Sequence, residues 1–397
     1  MKQKISYIDE EDISNKRILL RADFDVALDA HNLIADDFRI RQRIPTLQYL
    51  LKKKNRIICV SKLGRPKDRE PRLSMKIVAQ RLGRYLPDYK IHLVNDFLTE
   101  DPATFTEQKP NEILVLENIR FYPEEKQNDK EFAKKLASCA DVYVNDAFAM
   151  CHRTESSVVG VPQLLPSYAG LQLKKEIAMI TKAIEKPKKP LVVIIGGAKI
   201  STKISLISRL IEIADYVILG GGLANVFFRA QRYLIGSSIC EYEMTLKARQ
   251  LLYLAEQKKT KIILPTDVLI GNPKDTEKRG EVVRVQENKI PKNKAILDIG
   301  PETKARYGSY IARAGTIIWN GPVGLFENPA YRNGTDFIYY AIAHNPEAIS
   351  IVGGGDTISA ISKEEYLKTI THVSTGGGAM LEFIEKGTLP GIEALRH

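Results

Sequence analysis

Short apolar runs alternate with longer amphipathic segments along almost the whole chain. The runs are RILLRADF, RIICVSKLG, EILVLENI, DVYVNDAF, PLVVIIGGAK, YVILGGGL, KIILPTDV, TIIWNGPVG and ISIVGGGD. Several of them are typical of buried parallel strands. The segments between them have the length of helices and lie at 41–54, 130–140, 203–213, 243–257 and 335–344. This alternation predicts an α/β fold with parallel sheets.

The strands are too many for one comfortable sheet, and 397 residues are enough for two or more domains. LQLKKEIAMITKAIEKPKKP has the pattern of a charged amphipathic helix that ends at a Pro- and Lys-rich break over 187–190. Basic clusters dominate before this break, and glycine runs at strand ends dominate after it. We therefore predict two lobes that bind different ligands.

The composition excludes several classes of protein. Hydrophobic residues make up 44% of the chain and charged residues 27%, which argues against collagen-like, disordered and disulfide-rich proteins. No apolar run reaches the roughly 18 residues that a membrane span needs. MKQKISYIDEEDIS turns acidic where a secretory signal would turn apolar, and the cysteines form no CxxC pair that would indicate a zinc site. We expect a cytoplasmic protein.

The chain carries a formal net charge of +11, and the surplus is concentrated. Segment 39–67 holds ten cationic residues and no acidic one, so it should face an anion. Nucleic acid is one candidate, but the chain has no zinc-finger, homeodomain or RNP-like pattern. Small phosphorylated ligands are the better candidate.

Glycine-rich turns connect strands to helices in the second half. In GGAKISTK, Lys199 and Lys203 lie one helical turn apart and can face one anion; the segment lacks the Walker A pattern, and a tight turn with two solvated lysines fits it equally well. GGGDT offers backbone amides to phosphate and the Asp356 carboxylate to Mg²⁺. The glycines at 376–378 form a second glycine turn between a strand and a helix. Together these turns indicate a nucleotide-phosphate site. Glu327 could accept ribose hydroxyls, although such an acid is more often a surface residue.

Arginines recur at strand-to-loop junctions in the first half. Arg39, Arg65, Arg120 and Arg153 are each, taken singly, more often a surface cation, but together their guanidinium groups can clamp phosphate or carboxylate. The chain has no GxSxG elbow and no HExxH motif. Phosphoryl transfer to a carboxylate needs no general base, because alignment and stabilisation of charge by cations and amides are sufficient.

These motifs resemble the phosphoglycerate kinase family. The resemblance is carried by RADFDVAL, DDFRIR, SKLGRPK, LENIRFYPEE, YVNDAFAMCHR, GGAKISTK, LPTDV, LDIGPET, WNGPVGLFE, GGGDT and HVSTGGGAMLE, in the family's order, from about Arg17 to Leu395. It implies two Rossmann-like lobes with parallel sheets joined by a hinge helix. The implied divisions are a phosphoglycerate-binding lobe over 1–172, an interdomain helix and hinge over 173–190, a nucleotide-binding lobe over 191–382, and a tail over 383–397 that packs on the first lobe.

The resemblance also implies the reaction, a reversible transfer between 1,3-bisphosphoglycerate with MgADP and 3-phosphoglycerate with MgATP, in a monomer whose lobes close. The positions that match the family's substrate site are Asp23, Phe24, Asp25, Arg39, Lys62, Leu63, Gly64, Arg65, Arg120 and Arg153. Those that match its nucleotide site are Lys203, Glu327, Gly354, Gly355, Asp356 and Thr357, with Asp356 near the magnesium. Arg39, Lys199 and the amides of Gly376 and Gly377 would stabilise the phosphoryl group in flight.

Three departures from the family pattern lie on the glycerate side. Lys62 and Glu155 stand where the family has histidines, and Asp25 stands where it has asparagine. Lys62 keeps a positive charge, whereas the carboxylate of Asp25 cannot donate a hydrogen bond and repels an anion. Two alternatives follow: a nucleotide-binding relative with altered acceptor specificity or weak catalysis, and a nucleic-acid-binding protein that uses the basic segment 39–67.

Overall fold

The computed structural model describes residues 4–276, 280–360 and 365–396. It divides the chain into two compact units. Unit 1 runs to Ala178 and resumes at Lys386, and unit 2 spans Met179–Glu385. The first division falls within the predicted interdomain segment 173–190 and inside one helix, Leu171–Glu185. That this helix is a hinge stays a prediction.

Unit 1 is built on a six-stranded parallel sheet. The strands of this sheet are β1 (Arg17–Arg21), β4 (Arg56–Val60), β5 (Lys90–Val94), β6 (Glu112–Leu116), β7 (Val142–Asn145) and β8 (Ser167–Ala169). A separate short antiparallel pair is formed by β2 (Ala27–Leu28) and β3 (Ile34–Asp36). The helices of unit 1 are α1 (Phe38–Arg41), α2 (Ile44–Lys52), α3 (Lys76–Tyr85), α4 (Pro102–Thr106), α5 (Pro123–Gln127), α6 (Lys130–Ala137) and the first part of α7 (Leu171–Glu185). The strand order is β5-β6-β4-β1-β7-β8.

Unit 2 contains a second six-stranded parallel sheet and a three-stranded antiparallel one. Its strands are β9 (Leu191–Ile195), β10 (Tyr216–Leu219), β11 (Lys261–Ile263), β12 (Asp267–Gly271), β13 (Glu281–Arg284), β14 (Ala295–Ile299), β15 (Thr316–Asn320), β16 (Ile349–Gly353) and β17 (His372–Ser374). Its helices are α8 (Ile204–Ile213), α9 (Gly221–Ala230), α10 (Thr245–Lys258), α11 (Pro301–Ala312), α12 (Asn333–Ala343), α13 (Gly355–Ser359), α14 (Glu365–Thr369) and α15 (Gly377–Lys386). A last helix, α16 (Pro390–Glu393), belongs to unit 1.

The two parallel sheets confirm the predicted α/β class and the predicted pair of lobes. The order in unit 2, β11-β10-β9-β15-β16-β17, is that of a Rossmann sheet, whereas β6 is inserted between β5 and β4 in unit 1. Both sheets are covered by helices whose apolar faces are buried, as Leu47 and Leu50 of α2 and Ile207 and Leu210 of α8 show. The sheet β13-β12-β14 was not predicted from the sequence.

The sheet order fixes where each unit can hold a ligand. In unit 1 it reverses between β1 and β7, and in unit 2 between β9 and β15. Ligands of open α/β sheets bind in the crevice beyond the carboxyl ends of the strands at such a reversal. The loops that follow these four strands are therefore the first places to look for a site.

Candidate active site

The loop after β1 presents a buried carboxylate that holds two arginines. Asp23 is only 1% exposed and accepts hydrogen bonds from Nη1 of Arg39 at 3.1 and 3.2 Å. Nη2 of Arg43, which is fully buried, lies 3.6 Å from the same carboxylate. The neighbouring Phe24 is buried, and its amide donates to Oγ of Ser61 at 2.9 Å. The buried carboxylate of Asp23 thus holds the guanidinium group of Arg39 in place.

Asp23 and Arg39 each stabilise the charged form of the other. Burial alone would raise the pKa of Asp23, but Arg39, Arg43 and Lys62 outweigh it, so the pKa is lowered and the carboxylate stays ionised. The negative charge of Asp23 raises the pKa of Arg39 in turn. The sequence predicts Asp23 and Arg39 as site residues but not Arg43, because nothing in the spacing of Arg43 distinguishes a buried arginine from a surface one.

Lys62 and Asp25, two of the departures from the family pattern, form an ion pair with each other. The other oxygen of Asp25 accepts the amide of Gly64 at 2.7 Å, so this carboxylate ties the loop after β1 to the loop after β4. The amide of the buried Leu63 donates to Oδ1 of Asn118 at 3.2 Å. Burial lowers the pKa of Lys62, although Asp25 opposes that shift. The two unusual residues therefore compensate one another's charge.

The third departure, Glu155, is also paired. Its carboxylate accepts Nη2 of Arg120 at 2.5 Å, and both side chains are largely buried. Within the described residues, Nε of Arg120 and the second oxygen of Glu155 have no hydrogen-bond partner. Arg65 and Arg153 differ from the other cations, because both are exposed and neither has an ion pair in the described part of the chain. These two guanidinium groups are therefore available to bind an anion.

In unit 2, the loop after β9 is packed tightly against the loop after β15. A Cβ at Gly196 would lie 2.0 Å from the backbone oxygen of Pro322, so only glycine fits there. Nζ of Lys203 donates to the backbone oxygen of Gly196 at 2.7 Å and to Oδ1 of Asn320 at 3.0 Å. Burial lowers the pKa of Lys203 to about 8. Lys199 is exposed on the same loop.

Two further glycine turns meet beside these loops. Gly354 has φ of +118°, and a Cβ at Gly377 would lie 2.3 Å from the Cα of Gly354, so the turns after β16 and β17 touch. Asp356 and Gly355 are exposed, whereas Gly376 is buried. Thr357 is buried as well, and its hydroxyl accepts the amide of Gly321 at 2.8 Å and donates to the oxygen of Gly353 at 3.0 Å. Its side chain therefore holds the turn together.

An apolar cleft of about 240 Å³ opens next to the turns. Its wall includes Phe228, Val268 and Leu325, and the exposed Glu327 and Asp356 lie at its edge. The cleft also contacts Asp298, whose carboxylate accepts the amides of Ile299 and Gly334, each at 2.8 Å. Burial raises the pKa of Asp298 to about 7. An apolar cleft beside glycine turns is a common setting for a small ligand that has an apolar part and an anionic part.

The two units thus offer different chemistry. Unit 1 offers guanidinium and ammonium groups for a small anion, and unit 2 offers an apolar cleft beside glycine amides and two lysines for a nucleotide. No cluster of three metal-ligating side chains occurs in the described ranges. The arrangement is that of a two-lobed α/β phosphotransferase.

Comparison with known proteins identifies the family. The model of the family "Phosphoglycerate kinase" matches residues 8–387. The chain is 45% identical to phosphoglycerate kinase of Moorella thermoacetica over 386 residues, which cover 97% of each chain, and 39% identical to the cytosolic enzyme of Nicotiana tabacum over 100% of this chain and 99% of the other. The solved structure of phosphoglycerate kinase from Coxiella burnetii has a TM-score of 0.86 at 38% identity over 99% of both chains. The chain belongs to the phosphoglycerate kinase family.

The comparisons confirm the predicted family, its glycolytic activity and its reaction class, a phosphotransferase with a carboxyl acceptor. ATP and ADP as substrates follow from membership of the family. The roles of individual residues stay predictions. The geometry adds Arg43, Asn320 and Asp298 to the candidate residues. Asn320 lies within the WNGPVGLFE motif and Asp298 within the LDIGPET motif, whereas the sequence context of Arg43 gave no signal.

The lowered pKa of Lys203 predicts a pH-dependent nucleotide affinity. Since the ammonium form dominates only below about pH 8, affinity for ADP should fall as the pH rises from 7 to 9, by up to about tenfold if only the charged form binds phosphate. Isothermal titration calorimetry with ADP at several pH values measures this affinity. The Lys203→Met variant should bind more weakly and show no such decline, and equal affinity of the unchanged protein at pH 7 and 9 would refute the prediction.

The ion pair between Lys62 and Asp25 predicts non-additive kinetics. Lys62→His alone leaves the Asp25 carboxylate with only the more distant cation of Arg39, 3.8 Å away, so KM for 3-phosphoglycerate should rise several-fold. The same change in the Asp25→Asn background should cost at least about threefold less, because no stranded charge remains. Steady-state kinetics of the four proteins give the coupling, with thermal unfolding as the control for folding. The same rise in both backgrounds would show that the two residues act independently.

Proposed function

We propose that the two residue clusters perform the family's reaction, the reversible transfer of a phosphoryl group between 1,3-bisphosphoglycerate with MgADP and 3-phosphoglycerate with MgATP. One observation carries the proposal. Each unit places its candidate binding residues in loops at the carboxyl ends of its parallel strands: cations follow β4, β6 and β7 in unit 1, and lysines and glycine amides follow β9, β16 and β17 in unit 2. Two anionic substrates of different shape are thereby given separate sites.

Unit 1 binds the glycerate substrate in this proposal. Arg65 and Arg153 contact its phosphate, because they are exposed and carry no ion pair among the described residues. Arg39, Lys62 and Arg120 contribute positive charge from positions that Asp23, Asp25 and Glu155 hold in place. Phe24, Leu63 and Gly64 shape the backbone that carries these groups. Guanidinium groups suit this task because they bind carboxylate and phosphate at two points.

Unit 2 binds the nucleotide. The base and ribose occupy the apolar cleft, with Glu327 placed to accept ribose hydroxyls, and the phosphates meet Lys203 and the turn from Gly354 to Thr357. Asp356 fits the requirement of Mg²⁺, because its carboxylate is exposed beside the phosphate-binding turn, and Mg²⁺ usually takes one or two carboxylates together with substrate phosphates and water. When bound, the metal neutralises charge on the phosphates.

The acceptor is already a carboxylate, so the proposed mechanism needs no general base. Arg39 from unit 1 and Lys199 from unit 2 bind the oxygens of the transferring phosphoryl group. The amides of Gly376 and Gly377 donate to the same group, at the start of helix α15. The reacting atoms must approach to about 3–3.5 Å. We therefore propose that the units close on the bound substrates, with helix α7 as the hinge.

We propose a cytoplasmic monomer that acts on small molecules and not on nucleic acid. Of the cations in segment 39–67, Arg41 contacts Asp37 and Lys53 contacts Asp12, while Arg39, Arg43 and Lys62 contact carboxylates beneath the site. This internal pairing engages half of the ten cations of the segment and so reduces the charge that it offers to a polyanion. No helix in the described part of the chain has the length and apolarity to cross a membrane.

The role of Lys199 predicts a specific kinetic defect. Lys199→Ala should lower kcat by about a hundredfold or more and change KM for MgATP by less than about threefold, because the ammonium contacts charge that develops during transfer. Steady-state kinetics measure both constants, and Lys247→Ala, which removes an exposed lysine of helix α10, serves as the matched control. A rise in KM with kcat preserved would assign Lys199 to ground-state binding instead.

A further inference from the structure

The loop that carries Lys199 is fastened at two points. Before Lys199, the amide of Gly197 donates to the oxygen of Pro322 at 2.9 Å, and the oxygen of Gly197 accepts the amide of Leu223 at 3.0 Å. These backbone bonds hold the start of the loop against helix α9 and the loop after β15. Two residues, Ala198 and Lys199, then stand exposed.

After Lys199, the side chain of Glu241, which comes from another segment, holds the loop. One oxygen of Glu241 accepts the amides of Ile200 at 2.6 Å and Ser201 at 3.0 Å, and the other accepts the Ser201 hydroxyl at 2.5 Å. The hydrogen bonds from Ser201 are the main cause that lowers the pKa of Glu241, so the carboxylate is ionised at neutral pH. Charge-assisted hydrogen bonds of this kind are stronger than neutral ones.

The segment that bears Glu241 is itself anchored. The oxygen of Ile239 accepts Nδ2 of the buried Asn225, a residue of helix α9, at 3.0 Å. Helix α9 therefore supports the loop from both sides, through Gly197 directly and through Glu241 indirectly. The backbone at Lys199 lies between these supports, only two residues after one and one residue before the other.

We propose that Glu241 is a positioning residue for phosphoryl transfer, which acts by holding the backbone of Ile200 and Ser201 so that Lys199 points at the transferring group. The inference rests on the proposed function, because it takes Lys199 as the residue that contacts the phosphoryl group. Glu241 touches no substrate in this account. Its effect is exerted through Lys199 alone, since misplacement of a catalytic group by about 1 Å can cost on the order of a hundredfold in rate.

Kinetics of Glu241 variants test the proposal. Glu241→Ala should lower kcat about tenfold or more and change KM for either substrate less than about threefold. Glu241→Gln retains an acceptor oxygen for the two amides and should recover at least about a third of the activity. Glu243→Ala, an exposed acid two residues along the same segment, is the matched control and should behave as the unchanged protein. If Glu241→Ala fails to fold, Glu241→Asp, whose shorter side chain also withdraws the acceptor, carries the same expectation.

A double variant separates positioning from a general loss of structure. Because Glu241 acts through Lys199, the Lys199→Ala, Glu241→Ala protein should transfer phosphate no more slowly than Lys199→Ala alone. Hydrogen exchange provides a readout that does not depend on activity, since the amides of Ile200 and Ser201 should exchange faster in Glu241→Ala. Unchanged kcat in Glu241→Ala, or losses that multiply in the double variant, would overturn the inference. A harmless Lys199→Ala would instead overturn the proposed function.

Discussion

Parallel pairing of the strands within each six-stranded sheet is the constraint on which both candidate sites depend, and it is clearest at the two reversals of sheet order. Arg21 of β1 pairs with Asn145 of β7, and Ile195 of β9 pairs with Asn320 of β15. The chain leaves each pair of strands in the same direction, so the loops that follow are neighbours although more than a hundred residues separate them in the sequence. Each pocket is a consequence of this register, because a shift of one residue would turn the side chains to the opposite face.

Within unit 1, the basic residues of the site are largely held by acidic partners. Asp23 holds Arg39, Asp25 pairs with Lys62, and Glu155 holds Arg120. A cation that was buried without a partner would lose much of its hydration, whereas a paired one keeps its charge and a defined position. These pairs hold the three cations in defined positions. Under the proposed function, Arg65 and Arg153, which are exposed, supply most of the attraction for an anionic substrate.

These ion pairs explain how the site accommodates its unusual residues, Asp25, Lys62 and Glu155. Asp25 and Glu155, considered one at a time, place negative charge in a site for an anionic substrate. In the structure each is matched by a cation within the same unit, and Lys62 in place of the family's histidine supplies the charge that Asp25 requires. Lys62 and Asp25 compensate one another, whereas Glu155 is matched by Arg120, which is not one of the departures.

The sequence was sufficient to predict the fold class and the family, whereas the roles of the site residues stay predictions. Continuous apolar runs such as LVVII, with glycine turns after them, are typical of buried strands and mark the strand ends. The sheet formed by β12, β13 and β14 was missed because β13 is short and mostly exposed, so its pattern resembles a loop. Contacts between distant segments, such as Arg43 with Asp23 and Glu241 with Ser201, depend on the tertiary fold and have no local signal.

The central claim is that the paired cations of unit 1 and the glycine-rich loops of unit 2 together support efficient phosphoryl transfer. The most direct measurement is the steady-state rate of the unchanged protein with MgATP and 3-phosphoglycerate, beside its affinity for MgADP. The account predicts saturation with both substrates and a kcat of about 1–100 s⁻¹, the ordinary range for kinases. Normal MgADP affinity with negligible transfer would contradict it, and would instead indicate a nucleotide-binding relative whose substrate pocket has changed its acceptor or lost catalysis.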